Sequence, residues 1–400
     1  MASQNEAMRF LSTIFHSFLF IFSGFLLLTA FPLALWLLFH FETLQGFILA
    51  ILGLISPIWG FWLVFGKNRK LLGQVNGRWG CLISLLVLLL FWLAPSGKSA
   101  ADSPIRHIYS NGGRFIRFSP FNIIPEIELM NVGTNLIGPL DPYIDRHKSK
   151  RLADLTLTIY REMRQNDNFR QVGSSMGLPL REPLQIPFDN GHTYLYIPKK
   201  ASADHPVPVI VFLHGAGGPF KAYQWIWGEF AEEHGFIIVS PSYGMGVWPE
   251  KDGPEAVMRT LDYTADHVQK TDGLELNLDH VWLVGLSNGG YGAVHTAARY
   301  PDHFQGLILI SPALPSPIMI EPDGRFNSAW RNRPVLLIHG EQDLRIPLDY
   351  INQHINFIKA GQVDIQTDIY PKEDHFLFFA QRKELMQTIR LWIKAQSEAS

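Results

Sequence analysis

Val281-Trp282-Leu283-Val284-Gly285-Leu286-Ser287-Asn288-Gly289 decides how this chain is read. Four apolar residues without polar alternation mark a strand buried on both faces. The Gly-x-Ser-x-Gly that follows is the signature of a serine nucleophile raised on a sharp turn between strand and helix. Gly285 and Gly289 form the nucleophile elbow, because the turn is so tight that a side chain two residues either way collides. So short a motif can arise by accident in 400 residues. Its weight depends on what accompanies it and in what order.

Outward from that turn, short apolar runs alternate with helical patterns from about residue 206 onward, as in a mostly parallel sheet covered by helices. The pattern predicts strands over 207–213, 236–239, 281–284, 306–310, 335–338 and 364–369, with 191–197 as a first antiparallel strand. Helices are expected over 225–234, 254–270, 290–299, 346–358 and 382–395. The fold class is therefore α/β, with helices on both faces of the sheet. Residues 101–190 read as an irregular extension broken by Gly112-Gly113, Pro120, Pro125 and Gly138-Pro139, with one helix expected over 152–164. The catalytic domain is expected over 191–400.

Three further features fall where an activated serine needs them. His214-Gly215-Ala216-Gly217-Gly218 follows the strand 207–213. Small residues there let backbone N–H groups face the oxyanion formed when a serine attacks a carbonyl, and each such donor contributes about 3 kcal/mol. A dinucleotide loop would need glycine at position 220, where Phe220 stands. Gly340-Glu341-Gln342-Asp343 follows the strand 335–338, and a carboxylate just beyond a strand end can orient a histidine. Asp343 is the candidate acid and Glu341 the alternative. Glu373-Asp374-His375 follows the last strand, which makes His375 the candidate base among 15 histidines. His214 and His339 each precede a glycine at a strand end and are expected to shape loops rather than titrate.

The chain order Ser287, Asp343, His375 is that of the α/β hydrolases, not of chymotrypsin or subtilisin. Residues from about 191 to 400 resemble the α/β-hydrolase superfamily, specifically its esterase, feruloyl-esterase and polyhydroxybutyrate-depolymerase-like branches. The resemblance is carried by HGAGG at 214–218, GLSNGGYG at 285–292, GEQDLRIP at 340–347 and EDHF at 373–376. It implies a Ser287–Asp343–His375 triad and an oxyanion hole built from the backbone N–H of Asn288 together with Gly215 or Ala216. With no HExxH, P-loop or clustered ligand set in the sequence, neither a metal nor an organic cofactor is expected. The resemblance covers about half the chain. Its motifs are specific for fold and triad but not for substrate. An ester hydrolase is the first expectation; peptidase or amidase, lipase and acyltransferase share the triad. A retired, non-catalytic membrane scaffold would normally have lost a triad member or an oxyanion glycine.

The connection 311–334 is short where this superfamily commonly carries a lid, so the site is expected to be open. Tyr243, Met245, Trp248, Met319 and Ile320 lie on loops near the expected rim. Tyr243 and Trp248 are the candidate substrate-binding residues for an acyl or aromatic group.

The first hundred residues are far more apolar than the rest. Stretches 10–41 and 44–65 are each long enough to cross about 30 Å of hydrocarbon as helices, and 79–94 is a shorter third candidate. Lys67, Arg69, Lys70 and Arg78 between the second and third stretches place that loop in the cytoplasm. Three spans would then put the catalytic domain on the extracytoplasmic side of the lipid bilayer, with the chain an integral membrane protein. A net charge of −2 without a basic stripe argues against a nucleic-acid partner. Cys81, the only cysteine, excludes an internal disulfide and a cysteine-based zinc cluster.

Overall fold

The computed structural model describes residues 2–65, 69–97, 103–110, 117–177, 191–218, 220–316 and 325–399. The chain divides into two compact units, one of Met1–Pro95 with Ile116–Gly133, the other of Ser96–Phe115 with Thr134–Ser400. The stretch expected as one irregular extension is thus shared between them.

The first unit is helical: α1 (Ala2–His40), α2 (Leu44–Phe65), α3 (Arg69–Leu93), α4 (Pro120–Ile123) and α5 (Glu126–Val132). Small residues bring α1 and α2 together. A Cβ on Gly53 would lie 2.6 Å from Ala34 Cβ, and one on Gly60 2.1 Å from Ser23 Oγ, the close backbone approach typical of helices that associate in lipid. Ile21, Phe25, Leu28 and Phe39 point outward and are exposed. The α1–α2 connection is held by Glu128 of α5, whose Oε1 accepts from the Glu42 N–H at 2.9 Å and the Thr43 hydroxyl at 2.8 Å. Burial pushes the Glu128 carboxyl above the ordinary range, against those hydrogen bonds. Among the described residues, Phe20–His40 and Leu44–Leu63 are long and apolar enough to cross a membrane, by length and composition only. The apolar part of α3, Arg78–Leu93, is shorter.

The second unit is an α/β-hydrolase fold. Its strands are β1 (Ile105–Tyr109), β2 (His192–Tyr196), β3 (Val207–Leu213), β4 (Ile237–Pro241), β5 (Leu276–Leu286), β6 (Gly306–Ile310), β7 (Pro334–Gly340) and β8 (Asp364–Tyr370). They form one sheet in the order β1-β2-β4-β3-β5-β6-β7-β8. β2 is antiparallel to both β1 and β4; every pair from β4 to β8 is parallel. The helices are α6 (Arg146–Arg164), α7 (Asp167–Gln171), α8 (Phe220–His234), α9 (Gly253–Asp272), α10 (Asn288–Arg299), α11 (Arg325–Ala329), α12 (Leu348–Ala360), α13 (Leu377–Ala380) and α14 (Arg382–Ala399).

The central strands lack alternation because both faces are covered. On β3, Val209, Val211 and Leu213 join the core packed by Val257 and Leu261 of α9 and Ala293 of α10. Phe212 faces the other way, onto Tyr223 and Trp227 of α8. On the same side, Trp392 of α14 meets Trp282 of β5 edge-on at 5.4 Å. Two elements differ from expectation. β1 lies in the stretch read as irregular, and α6 begins six residues earlier than predicted, at Arg146. Its first turn, Arg146-His147-Lys148, carries no apolar residue to set a period, and Asp145 starts it by accepting from the Lys148 N–H at 2.9 Å.

β3 ends on His214, which no solvent reaches. The Tyr243 N–H donates to its Nε2 at 3.0 Å, so Nδ1 carries the proton and donates to Gly215 O at 2.7 Å. Trp248 Nε1–H donates to His214 O at 3.0 Å. This ring has no room for a second proton, and burial lowers its pKa to about 4. The folded pKa lies below the unfolded one, so stability is fully present above pH 6.5 and is lost as pH falls toward 4. Between pH 8 and pH 5 this group alone should cost the fold about 2 kcal/mol. A thermal-midpoint series by tryptophan fluorescence on the detergent-solubilised chain should fall more steeply with acid in wild type than in His214→Gln; parallel curves would contradict this.

Candidate active site

β5 ends at Leu286 and α10 begins at Asn288, so Ser287 alone turns the chain. Its backbone sits at φ 51°, ψ −121°, where L residues rarely reside. Neighbours hold it there. The Ser287 N–H donates to Ile310 O at 3.0 Å, and its carbonyl accepts from the Gly290 N–H at 2.8 Å and the Ala313 N–H at 2.9 Å. A Cβ on Gly285 would stand 2.4 Å from Gly289 O, and one on Gly289 2.0 Å from Leu213 O. Neither neighbour is a flexible side chain that could move aside, so both elbow positions accept only glycine.

Ser287, His375 and Asp343 come from three loops and form one hydrogen-bonded chain. Ser287 Oγ lies 2.9 Å from His375 Nε2, and His375 Nδ1 lies 2.7 Å from Asp343 Oδ2. An ionised carboxylate can only accept, so Nδ1 bears the proton and Nε2 offers its lone pair to the serine hydroxyl. The Asp343 side chain is wholly inaccessible. Its other oxygen accepts from the Arg345 N–H at 2.8 Å and the Ile346 N–H at 2.9 Å. Glu341, the alternative acid, is exposed on the same loop. His339 packs beneath, 3.9 Å from Asp343, and donates from Nε2 to Ile346 O at 2.9 Å. Burial lowers its pKa, with Asp343 pulling the other way, so it stays neutral under the acid.

Gly215 and Ala216 pass directly beside the serine: a Cβ on Gly215 would lie 2.9 Å from Ser287 Cβ. Asn288 is the first residue of α10, so its N–H is among those with no carbonyl one turn back. Gly215, Ala216, Ser287, Asn288 and His375 all line one pocket of about 490 Å³.

Tyr243 and Trp248 are not at the rim. They are 9% and 1% exposed and support the Gly215-Ala216 loop from below. Besides their bonds to His214, the neighbouring Met245 carbonyl accepts from the Gly217 N–H at 3.1 Å. A Cβ on Gly246 would lie 2.6 Å from Gly215 O. Neither is among the residues lining the Ser287 pocket; both pack beneath the Gly215-Ala216 loop. Met319 and Ile320 lie outside the described residues.

Sequence reasoning missed the pocket's actual walls, Tyr143, Tyr223, Arg345, Phe376, Phe378 and Phe379. The aromatic run after His375 was a usable signal for three of them. Tyr143 had none, being 200 residues upstream of its partner: the Arg345 guanidinium sits 5.6 Å from the ring centres of both Tyr143 and Phe376 and pairs with Asp141. Nearby, Arg151 of α6 forms a two-armed pair with Glu373, at 3.1 and 3.2 Å. Gln381 also donates to Glu373 at 2.5 Å, and the Gln342 N–H donates to Glu373 O at 2.9 Å. No group of three or more metal-binding side chains is present among the described residues.

Residues 189–351 match the Esterase family model, described as "Putative esterase". The hydrolyase poxO of Penicillium oxalicum is 30% identical over 125 residues, 29% of this chain and 29% of its own. "Putative esterase NocK" of Nocardia uniformis subsp. tsuyamanensis is 30% identical over 151 residues, 36% of this chain and 42% of its own. The acylamino-acid-releasing enzyme of Sus scrofa is 22% identical over 243 residues, 50% of this chain and 32% of its own. The chain spans well under half the length of these curated relatives. A solved hyperthermophilic esterase from Pyrobaculum calidifontis overlaps with a TM-score of 0.39 at 19% identity, over 52% of this chain and 81% of its own. Residues 189–351 are thus similar to the Esterase family, within a unit that has the sheet order of an α/β hydrolase.

Proposed function

We propose that this chain is a membrane-tethered serine hydrolase that cleaves carboxylic esters through an acyl-enzyme. The observation that carries the reading is the unbroken hydrogen-bonded chain from the strained Ser287 through His375 to the sealed Asp343. As an ester carbonyl enters the pocket, His375 Nε2 takes the Ser287 proton while Oγ bonds to the carbonyl carbon. The negative charge arriving on the carbonyl oxygen meets the N–H groups of Asn288 and of Gly215 or Ala216. Asp343 keeps the imidazole in the required tautomer and stabilises it once charged. His375 then returns the proton to the departing alcohol as the carbon–oxygen bond breaks. Water, deprotonated by the same nitrogen, attacks the acyl-serine and frees the acid.

Exposing the detergent-solubilised chain to a fluorophosphonate probe should label wild type and leave Ser287→Ala unlabelled. Turnover of nitrophenyl esters should fall in the variant by roughly 10⁴-fold or more. A labelled variant, or a folded wild type inert to both reagents, would sink the proposal. The similarity to an acylamino-acid-releasing enzyme makes acyl-amide anilides the second substrate set; faster anilide than ester turnover would move the reading to an amidase.

The loops bearing acid and base must keep register with Ser287, and α6 supplies part of the restraint by gripping Glu373, two residues before His375. Arg151→Ala should lower kcat about tenfold with KM within twofold, because small misplacements of a catalytic base are costly. Arg151→Lys should recover only part, lacking the planar fork. An unchanged kcat would exclude this restraint.

The tether rests on the apolar lengths of α1 and α2 with their small-residue packing and apolar outer faces. With α3 as a third crossing, the catalytic unit lies on the extracytoplasmic side. A reporter fused after residue 100 should be active only in its extracytoplasmic form; activity solely in the cytoplasm would reverse the topology.

A further inference from the structure

The entrance of the Ser287 pocket carries a surface that the ester-hydrolase reading leaves unused. Leu140 is 80% exposed, Ile137 63%, Leu344 61% and Leu136 38%. Leu140 and Leu344 stand beside the two members of one ion pair at the pocket wall. Asp141, next to Leu140, pairs with Arg345, next to Leu344, and Arg345 with Tyr143 lines the pocket. A contiguous apolar surface of this kind on a folded protein marks a place where something docks.

Basic side chains border it. α6 begins directly after this segment, and its first turns present Arg146, His147 and Lys150 to solvent. Arg146 and Lys150 are four residues apart and share one helix face. Among the nearby carboxylates Asp141 pairs with Arg345 and Asp145 accepts from the Lys148 N–H at the start of the helix, while Glu341 is exposed. An apolar patch edged by exposed cations matches a bilayer surface bearing anionic headgroups, where leucines enter the acyl boundary and cations meet phosphate.

Resting on the serine-hydrolase reading above, we infer that this face docks on an anionic lipid surface and that the substrate is an ester carried in that surface. The position decides between a lipid and a protein occupant. The patch lies beside Arg345 and Tyr143, which line the Ser287 pocket, so a protein seated there would crowd that pocket. A bilayer seated there delivers an acyl chain into a pocket walled by Tyr143, Phe376, Phe378 and Phe379. The chain's own apolar helices keep such a surface within reach.

The test compares one soluble and one lipid-borne ester on the full-length chain reconstituted into vesicles. The vesicles are phosphatidylcholine alone, or an equimolar mixture with phosphatidylglycerol. The soluble probe is nitrophenyl acetate; the lipid-borne probe is nitrophenyl palmitate dissolved in the vesicles. Two variants, Leu140→Asp with Leu344→Asp and Arg146→Glu with Lys150→Glu, alter the face without touching a pocket-lining residue. Both should hydrolyse the acetate within twofold of wild type, which also reports that they fold. On the palmitate both should fall roughly tenfold in the mixed vesicles. Wild type should prefer mixed vesicles over phosphatidylcholine alone, and the charge-reversal pair should lose that preference. Variants equal to wild type on the palmitate, with acetate turnover intact, would overturn this inference alone. Loss of a detergent-stable dimer in the variants, with palmitate turnover unchanged, would assign the face to a second copy and overturn it too. A wild type inert on the acetate would overturn the hydrolase reading, and this inference with it.

Discussion

The absence of room around Ser287 governs the rest of the catalytic unit. A side chain at Gly285 or Gly289 would drive into backbone of the same turn or of β3. The chain can therefore close this turn only by leaving both positions bare and forcing Ser287 to positive φ. Isolated backbone strain of this kind costs on the order of 1–3 kcal/mol and persists only where surroundings over-determine it. Here they do: β3 and β6 flank β5 in parallel register, and the Ile310 carbonyl with the Gly290 and Ala313 amides fixes both polar groups of Ser287. The sheet order places β3 beside β5, and the same adjacency brings the Gly215-Ala216 loop to the serine. The Ser287 turn and the Gly215-Ala216 loop beside it are two outcomes of one strand pairing.

The order of the remaining chemistry follows from the parallel sheet. Parallel strands end on the same side, so the loops after β3, β5, β7 and β8 collect at one edge. Asp343 comes three residues after β7 and His375 five residues after β8. The loops also bond to each other: the Glu341 N–H reaches Tyr370 O at 3.0 Å, and the Gln342 N–H reaches Glu373 O at 2.9 Å. A Cβ on Gly340 would lie 2.5 Å from Glu373 O. The loops that carry Asp343 and His375 are thereby registered to each other. That is consistent with the sealed Asp343 and the modest exposure of His375.

This also explains what the sequence made legible. Strands buried on both faces announce themselves as unbroken Val, Ile and Leu runs, and glycines forced by contact stand out in motifs; both signals are local. β1 was invisible because its residues, Ile105-Arg106-His107-Ile108-Tyr109, mix polar and apolar at the sheet's antiparallel edge. Its stability comes from distant partners, such as Arg106 with Asp272 at 2.5 and 2.7 Å. Tyr243 and Trp248 were placed near the right loop but with the wrong duty. Whether an aromatic residue on a loop faces outward or downward depends on what lies below it, and His214 lies below. The helix α6 was legible only from residue 152, where its apolar stripe starts.

The least legible part is the pocket wall, and the reason is separation along the chain. Tyr143 and Asp141 meet Arg345 across about 200 residues, and Arg151 meets Glu373 across 222. No periodicity encodes such pairs; each side reads alone as an ordinary exposed polar or aromatic residue. In the fold they are where the segment between β1 and β2 meets the loops after β7 and β8. Asp141 steadies the cation beside the acid loop, Lys148 donates to Gln342 at 2.7 Å, and Arg151 holds the base loop. Three contacts from eleven consecutive residues reach both partners of Ser287. Asp141, Lys148 and Arg151 therefore tie this segment to the loops that carry Asp343 and His375, although nothing in its own sequence marks it as part of an α/β hydrolase. Lys148 and Arg151 reach those loops through contacts of 3.2 Å or less, while Arg146, His147 and Lys150 of the same segment face solvent.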